Sequence, residues 1–155
     1  MTFPSLSRDP RVIECILARF GAPYGWAKGS PATADDPGSL RDDADCSGMA
    51  QEALVVAGEL DAEQPDRNAY NLAMVCDPIP RGQERPFDLA FYGSHGKITH
   101  VMVVVGPGAV FGASGGGSRT HGDDPRAAVW LYRMDYRSDL VCIGRLKPAM
   151  RPGAS

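Results

Sequence analysis

The feature that most constrains the fold is a change in the spacing of apolar residues near Pro78. Before it, apolar residues recur every three or four positions, as in amphipathic helices; after it, they form short runs rich in β-branched and aromatic residues. Helical segments followed by strands predict an α+β fold, with helices packed on one face of an antiparallel sheet. We expect one domain over residues 1–155, with its core at about 9–147 and a frayed tail at 148–155.

Three helices are predicted before the change. Asp9-Pro10 has an N-cap residue followed by proline at the first helical position, and Gly21 closes that helix. The second helix opens at Cys46 and ends at Gly58, where a helical apolar period stops. A third, shorter helix is predicted at 67–75.

The second half of the chain predicts about five to six strands of one antiparallel sheet. Clusters of Gly, Pro and Asp separate the apolar runs, as turns separate strands. The runs are Leu89–Tyr92, Ile98–Val105, Val110–Phe111, Val129–Tyr132 and Leu140–Leu146.

Charge and cysteine usage exclude several classes of function. The chain has 16 Lys and Arg against 19 Asp and Glu, scattered along its length, so neither a nucleic acid nor an anionic membrane is an expected partner. No apolar run exceeds six residues, the length of 127–132, which is too short to span a membrane. None of the four cysteines forms a C-x-x-C pair, and no metal or cofactor is expected. The first ten residues lack a signal-peptide pattern, which predicts synthesis in the cytosol without a signal peptide.

Cys46 and His100 are the candidate reactive pair. A cysteine at a helix N-terminus faces backbone N–H groups and the positive end of the helix dipole, which favour the thiolate. His100 lies within a predicted strand, where a rigid backbone can hold an imidazole near that sulfur, whereas His95 and His121 lie in polar loops. A buried structural cysteine and a core histidine remain the alternatives.

Four blocks of sequence resemble the NlpC-type papain-like cysteine peptidases. The similarity extends from about Asp9 to Leu146, and the cysteine precedes the histidine, as in that family and unlike its circularly permuted relatives. The blocks are Gly21-Ala22-Pro23-Tyr24, Asp45-Cys46-Ser47-Gly48, Arg85-Pro86-Phe87-Asp88-Leu89-Ala90-Phe91-Tyr92 and Ile98-Thr99-His100-Val101.

The resemblance implies a papain-like fold and a metal-free hydrolysis of amide bonds in bacterial peptidoglycan stem peptides, between γ-D-glutamate and a diamino acid. Cys46 would be the nucleophile and His100 the general base. Tyr24 would lie beside the active cysteine, and Asp45 and Ser47 would hold the free amine of the stem peptide.

The sequence departs from the family pattern at two positions. Gly112 occupies the place of a polar third residue, often histidine, that orients the catalytic imidazole. Ser114, a main-chain carbonyl or a water is the expected replacement. Phe87 stands where the family usually has glycine in a turn.

The short chain and the glycine-rich segment that follows Gly112 also resemble phage-borne peptidases, which predicts a lysin or a tail-associated enzyme acting at the cell wall, with tail-tip or hub proteins as partners. Two alternatives remain. The same Cys/His pair could cut between muramic acid and L-alanine as an amidase, or the domain could be a catalytically weak wall-binding or tail-structural module.

Overall fold

Three helices precede a six-stranded antiparallel sheet in the computed structural model, which describes residues 6–19, 46–114 and 128–153. The helices are α1 (Pro10–Arg19), α2 (Cys46–Val56) and α3 (Ala69–Met74). The strands are β1 (Cys76–Ile79), β2 (Leu89–Tyr92), β3 (His100–Gly106), β4 (Ala109–Ser114), β5 (Ala128–Arg133) and β6 (Leu140–Leu146). The predicted α+β fold is confirmed.

The order of strands in the sheet is β1-β6-β2-β3-β4-β5. Strand β3 lies between β2 and β4 and is buried along its whole length. Its first residue, His100, pairs with Tyr92 at the end of β2. On the other side, β4 pairs with β5, with Gly112 opposite Trp130.

The ends of two helices agree with the sequence patterns. The Asp9 carboxylate accepts a hydrogen bond from the Arg11 backbone N–H at 2.9 Å, which caps α1. Gly58 adopts a φ of +78° after α2, and the Glu59 N–H then donates to the Leu54 carbonyl at 2.8 Å. Glycine has no Cβ to oppose that left-handed conformation, so the helix stops there.

Strand β1 was not predicted. The predicted third helix is present and ends at Met74, and Cys76 then begins a strand whose partner in β6 is Leu146. Pro78 lies inside β1, opposite Gly144. Proline has no N–H to donate to a ladder, and it is tolerated here because β1 is at the edge of the sheet.

Side chains of β3 alternate between two apolar clusters, one on each face of the sheet. The helix-side cluster contains Val101, Val103 and Val105 together with α2 residues, Cys46 among them. The cluster on the other face, here called the tyrosine-side cluster, is formed by Ala90, Tyr92, Met102, Val104, Val110, Met134 and Ile143.

The chain end is more fixed than the predicted frayed tail. Residues Pro148–Met150 form a 3-10 turn, and the Asp61 N–H donates to the Met150 carbonyl at 2.8 Å. Arg151 forms an ion pair with Glu59 at 3.1 Å. These contacts hold the segment after β6 against the end of α2, a tertiary interaction that the Pro- and Gly-rich composition does not reveal.

Phe87 has a left-handed backbone, with a φ of +72°, at the position where the sequence resemblance implies glycine. Its ring is only 3% exposed, and the Arg11 guanidinium lies 4.8 Å from the ring centroid. The next residue, Asp88, is buried and forms a two-point ion pair with Arg145, at 2.8 and 2.9 Å. Packing of the ring therefore compensates for a backbone conformation that an L side chain rarely adopts.

Phe87→Gly and Phe87→Ala should separate these two effects. Both variants lose the packing of the ring, at a cost of about 3 kcal/mol. Glycine also relieves the positive φ, so Phe87→Gly should be more stable than Phe87→Ala by about 1 kcal/mol in urea unfolding. Phe91, on a strand, is the control, and there the alanine variant should be more stable than the glycine variant. If Phe87→Ala were more stable than Phe87→Gly, the backbone at residue 87 would not be strained.

Candidate active site

Cys46 is the first residue of α2 and is 9% exposed to solvent. The helix packs against β3 and β4, so its N-terminus is fixed relative to the sheet. Gly48, in the first turn of α2, is also buried and has no side chain to fill space there. The N-terminal position predicted for Cys46 is confirmed, and it favours the thiolate.

Gln51 anchors the first turn of α2. Its side-chain amide donates to the carbonyls of Ser47 at 3.3 Å and Arg67 at 3.1 Å. Its amide oxygen accepts from the Arg67 N–H at 2.9 Å. Sequence reasoning missed this buried side chain, although a glutamine among the small and apolar residues of a helix was a visible signal.

His100 is the first residue of β3 and is 7% exposed. Its ring centroid lies 5.7 Å from that of Tyr92. Its Nε2 atom is 2.8 Å from the hydroxyl oxygen of Tyr136. The ring therefore lies with the tyrosines, on the face of β3 opposite Val101.

Burial, assisted by the nearby Arg137 cation and opposed by Asp139, lowers the pKa of His100 to about 4. Removal of the imidazolium from water is the dominant cause. His100 is therefore neutral near pH 7 in this environment. The neutral imidazole is the form that can accept a proton from a thiol.

Tyr136, which sequence reasoning did not select, ends a 3-10 turn after β5. The Tyr92 hydroxyl donates to the Met134 carbonyl in that turn at 2.7 Å. The Tyr136 ring stacks on Tyr132 at 4.6 Å and meets Tyr92 edge-on at 5.5 Å. No motif or periodicity marks a residue in such a turn, so only the tertiary structure identifies it.

Gly112 lies on β4, and the space beside it is occupied by Met102. A Cβ added at Gly112 would be 3.0 Å from the Met102 Sδ atom, closer than nearly all real contacts. The thioether thus fills the place of a side chain at residue 112. Ser114, the proposed replacement for the third residue, ends β4, but its side chain lies outside the described part of the structure.

The structure describes only some of the predicted site residues. Tyr24 and Asp45 lie outside the described residues, as does His121, whereas Ser47 follows Cys46 in α2. The elements that carry Cys46 and His100 pack together. Cys46 belongs to the helix-side cluster and His100 contacts the tyrosines, so the pairing of thiol with imidazole stays a prediction.

The other cysteines differ from Cys46 in their environment. Burial, assisted by the Asp88 carboxylate, raises the pKa of Cys76 to about 12. Burial also raises the pKa of Cys142, and Cys15 is 6% exposed in the core. The Cys76 and Cys142 thiols therefore stay protonated near neutral pH and react slowly, while burial shields Cys15 from reagents.

Brief treatment with iodoacetamide near neutral pH should therefore label Cys46 alone. Only the thiolate is nucleophilic, and Cys46 is the one thiol among these four at a helix N-terminus. Peptide mapping by mass spectrometry gives the labelled position, and Cys46→Ala should leave the folded protein unlabelled. Preferential labelling of Cys76 would contradict the assignment.

The described ranges contain no cluster of three or more His, Cys, Asp or Glu side chains arranged to hold a metal ion. Nor do these ranges include a helix with the length and apolarity needed to cross a bilayer.

A cysteine that opens a helix packed on an antiparallel sheet, with a buried histidine on that sheet, defines the papain-like class of cysteine peptidases. The chain belongs to the NlpC/P60 family of peptidoglycan hydrolases, which it matches over residues 21–137. The resemblance noted from the sequence is thereby confirmed.

Most of the chain is similar in sequence to a known relative. It is 31% identical over 139 residues to the bifunctional muramidase/DL-endopeptidase CwlT of Bacillus subtilis, covering 88% of this chain and 36% of CwlT. The chain thus spans about a third of the length of that relative.

Two solved structures share the fold. The P60 domain of antigen MAP1204 from M. avium subspecies paratuberculosis is 25% identical, with a TM-score of 0.58 over 88% of this chain and 92% of that one. RipD from Mycobacterium tuberculosis, described as a non-catalytic NlpC/p60 domain protein adapted to peptidoglycan binding, is 23% identical, with a TM-score of 0.60 over 89% and 96%.

Proposed function

We propose that the chain is a peptidoglycan endopeptidase that hydrolyses the stem-peptide bond between γ-D-glutamate and a diamino acid. The observation that carries the proposal is a buried His100 on the strand against which the Cys46 helix packs. Similarity to CwlT, a DL-endopeptidase by name, supports the class of bond.

The proposed chemistry begins with proton transfer from the Cys46 Sγ to the His100 Nδ1. The thiolate attacks the carbonyl carbon of the stem-peptide amide, and N–H groups at the start of α2 stabilise the oxyanion that forms. The imidazolium then protonates the leaving amine, which departs and leaves a thioester on Cys46. Water, deprotonated by His100, hydrolyses the thioester and restores the thiol.

Substrate recognition is proposed on the sequence resemblance. Asp45 and Ser47 would bind the free amine of the stem peptide, since a carboxylate beside an ammonium forms a charge-assisted hydrogen bond. Tyr24 would lie beside the nucleophile. The same resemblance underlies our proposal that the enzyme acts at the cell wall as a phage lysin or tail-associated component, with tail-tip or hub proteins as partners.

A non-catalytic wall-binding module is the second candidate, because Gly112 removes the polar residue that the family pattern places there. An amidase using the same two residues is the third. Incubation of the wild-type protein with defined muropeptides, followed by mass spectrometry, separates the three. Products cut after γ-D-glutamate support the endopeptidase, release of the whole stem peptide indicates the amidase, and binding without cleavage indicates the module.

A further inference from the structure

We propose that Tyr136 is the positioning residue of His100 and takes the place of the polar third residue that Gly112 cannot supply. The inference rests on the proposed function, since a positioned imidazole matters only where that imidazole acts as a base. It is carried by the contact between the Tyr136 hydroxyl and His100 Nε2, at 2.8 Å, which joins residues 36 positions apart in the sequence.

The nitrogen that Tyr136 contacts determines what the hydrogen bond can do. An imidazole has two nitrogens, and in the neutral ring one carries the proton while the other accepts. If Nε2–H donates to the Tyr136 oxygen, the Nδ1 lone pair is left to receive a proton from Cys46. With the Tyr136 oxygen as acceptor, the contact orients the ring and selects the tautomer that the proposed chemistry requires.

The Tyr136 ring is itself held firmly. It packs between Tyr132 and Tyr92, and the turn that carries it is tied to β2 by the hydrogen bond from Tyr92 to the Met134 carbonyl. A phenol fixed in this way presents its oxygen at a defined point. Such preorganisation is what an orienting group needs, because a mobile partner does not hold an imidazole in one position.

The charged groups around His100 are consistent with a positioning residue that is not a carboxylate. Arg137 and Asp139, which follow Tyr136, pair with each other at 2.6 Å. Arg137 also lies 5.6 Å from the centroid of the Tyr92 ring, on the adjacent strand β2. The Arg137 side chain also hydrogen-bonds to the Tyr136 hydroxyl, which is an uncharged partner for His100.

Met102 fills the space beside Gly112 on β4. Its thioether occupies the space into which a side chain at Gly112 would extend. Among the described side chains, Tyr136 gives His100 its hydrogen-bonding partner.

Tyr136→Phe tests the inference because it removes one oxygen and keeps the packed ring. Tyr132→Phe is the matched control, since it removes a neighbouring hydroxyl and keeps the ring that stacks on Tyr136. Circular dichroism verifies that both variants fold. The readouts are kcat and KM on a muropeptide and, in a Cys46→Ala background, the His100 tautomer from ¹⁵N chemical shifts.

We expect the Tyr136 variant to lose about 10- to 100-fold in kcat with little change in KM, because misplacement of a catalytic group slows the chemical step. In the Cys46→Ala background, His100 should carry its proton on Nε2, and Tyr136→Phe should convert this to a mixture of tautomers. Tyr132→Phe should leave kcat, KM and tautomer unchanged.

Two results would overturn the inference: an unchanged kcat and tautomer in Tyr136→Phe, or a proton on Nδ1 with Tyr136 intact. A wild-type protein inert on every muropeptide, in which Tyr136→Phe still alters the tautomer, would support the positioning contact while overturning the proposed function.

Discussion

Replacement of Cys46 by alanine is expected to abolish muropeptide hydrolysis, with a loss of at least about 10³-fold relative to the wild type. Alanine has no atom that can attack the amide carbon, so neither the covalent intermediate nor its hydrolysis can occur. Product formation is followed by mass spectrometry. Cys142→Ala is the matched control, because that thiol has a raised pKa and lies on β6, and it should retain activity.

Residual activity in Cys46→Ala close to that of the wild type would disprove the nucleophile assignment. His100→Ala provides an independent arm, since loss of the base should be comparably severe when thiol and imidazole act as one unit. Activity that survives in His100→Ala but not in Cys46→Ala would show that another group accepts the proton.

Acidification from about pH 6.5 to pH 4 is expected to cost the protein about 3 kcal/mol of unfolding free energy through His100 alone. The folded-state pKa is about 4, against 6.5 for the ordinary side chain. In that interval the unfolded chain binds the extra proton and the folded chain does not. The stability is therefore complete above pH 6.5 and is lost as the pH falls toward 4.

The measurement compares urea unfolding of Cys46→Ala with that of Cys46→Ala/His100→Gln across this pH range. The Cys46→Ala background removes any thiolate that would raise the pKa of His100, and carboxylates shared by the two proteins largely cancel. Glutamine keeps a polar group near Tyr136 but does not titrate. Parallel pH profiles would show that His100 is not buried as a neutral ring.

Restoring Cys46 gives a further comparison. A folded thiolate–imidazolium pair holds one proton, as does a thiol beside a neutral imidazole, and it binds a second proton only when the thiolate is protonated. The wild type should therefore lose at least as much stability on acidification as Cys46→Ala does. The difference between the two profiles measures the pairing that the sequence predicts.

The elements of this fold that depend on neighbours in the chain could be predicted from sequence. The cap formed by Asp9, the end of α2 at Gly58 and the position of Cys46 in the first turn of that helix each follow from residues a few positions apart. Short-range rules govern them because each hydrogen bond or backbone conformation involves only local groups. The alternation of apolar residues likewise predicted that His100 lies on a strand. The sequence blocks shared with the family identified Cys46 and His100 as the reactive pair.

The tertiary structure decided whatever depends on contacts between distant segments. Strand β1 contains Pro78 and forms because this residue lies at the edge of the sheet. Phe87 keeps a positive φ because its ring is buried beside Arg11. Tyr136 reaches His100 only because the sheet order and the turn after β5 bring residues 36 positions apart within hydrogen-bonding distance, a juxtaposition that no local pattern encodes.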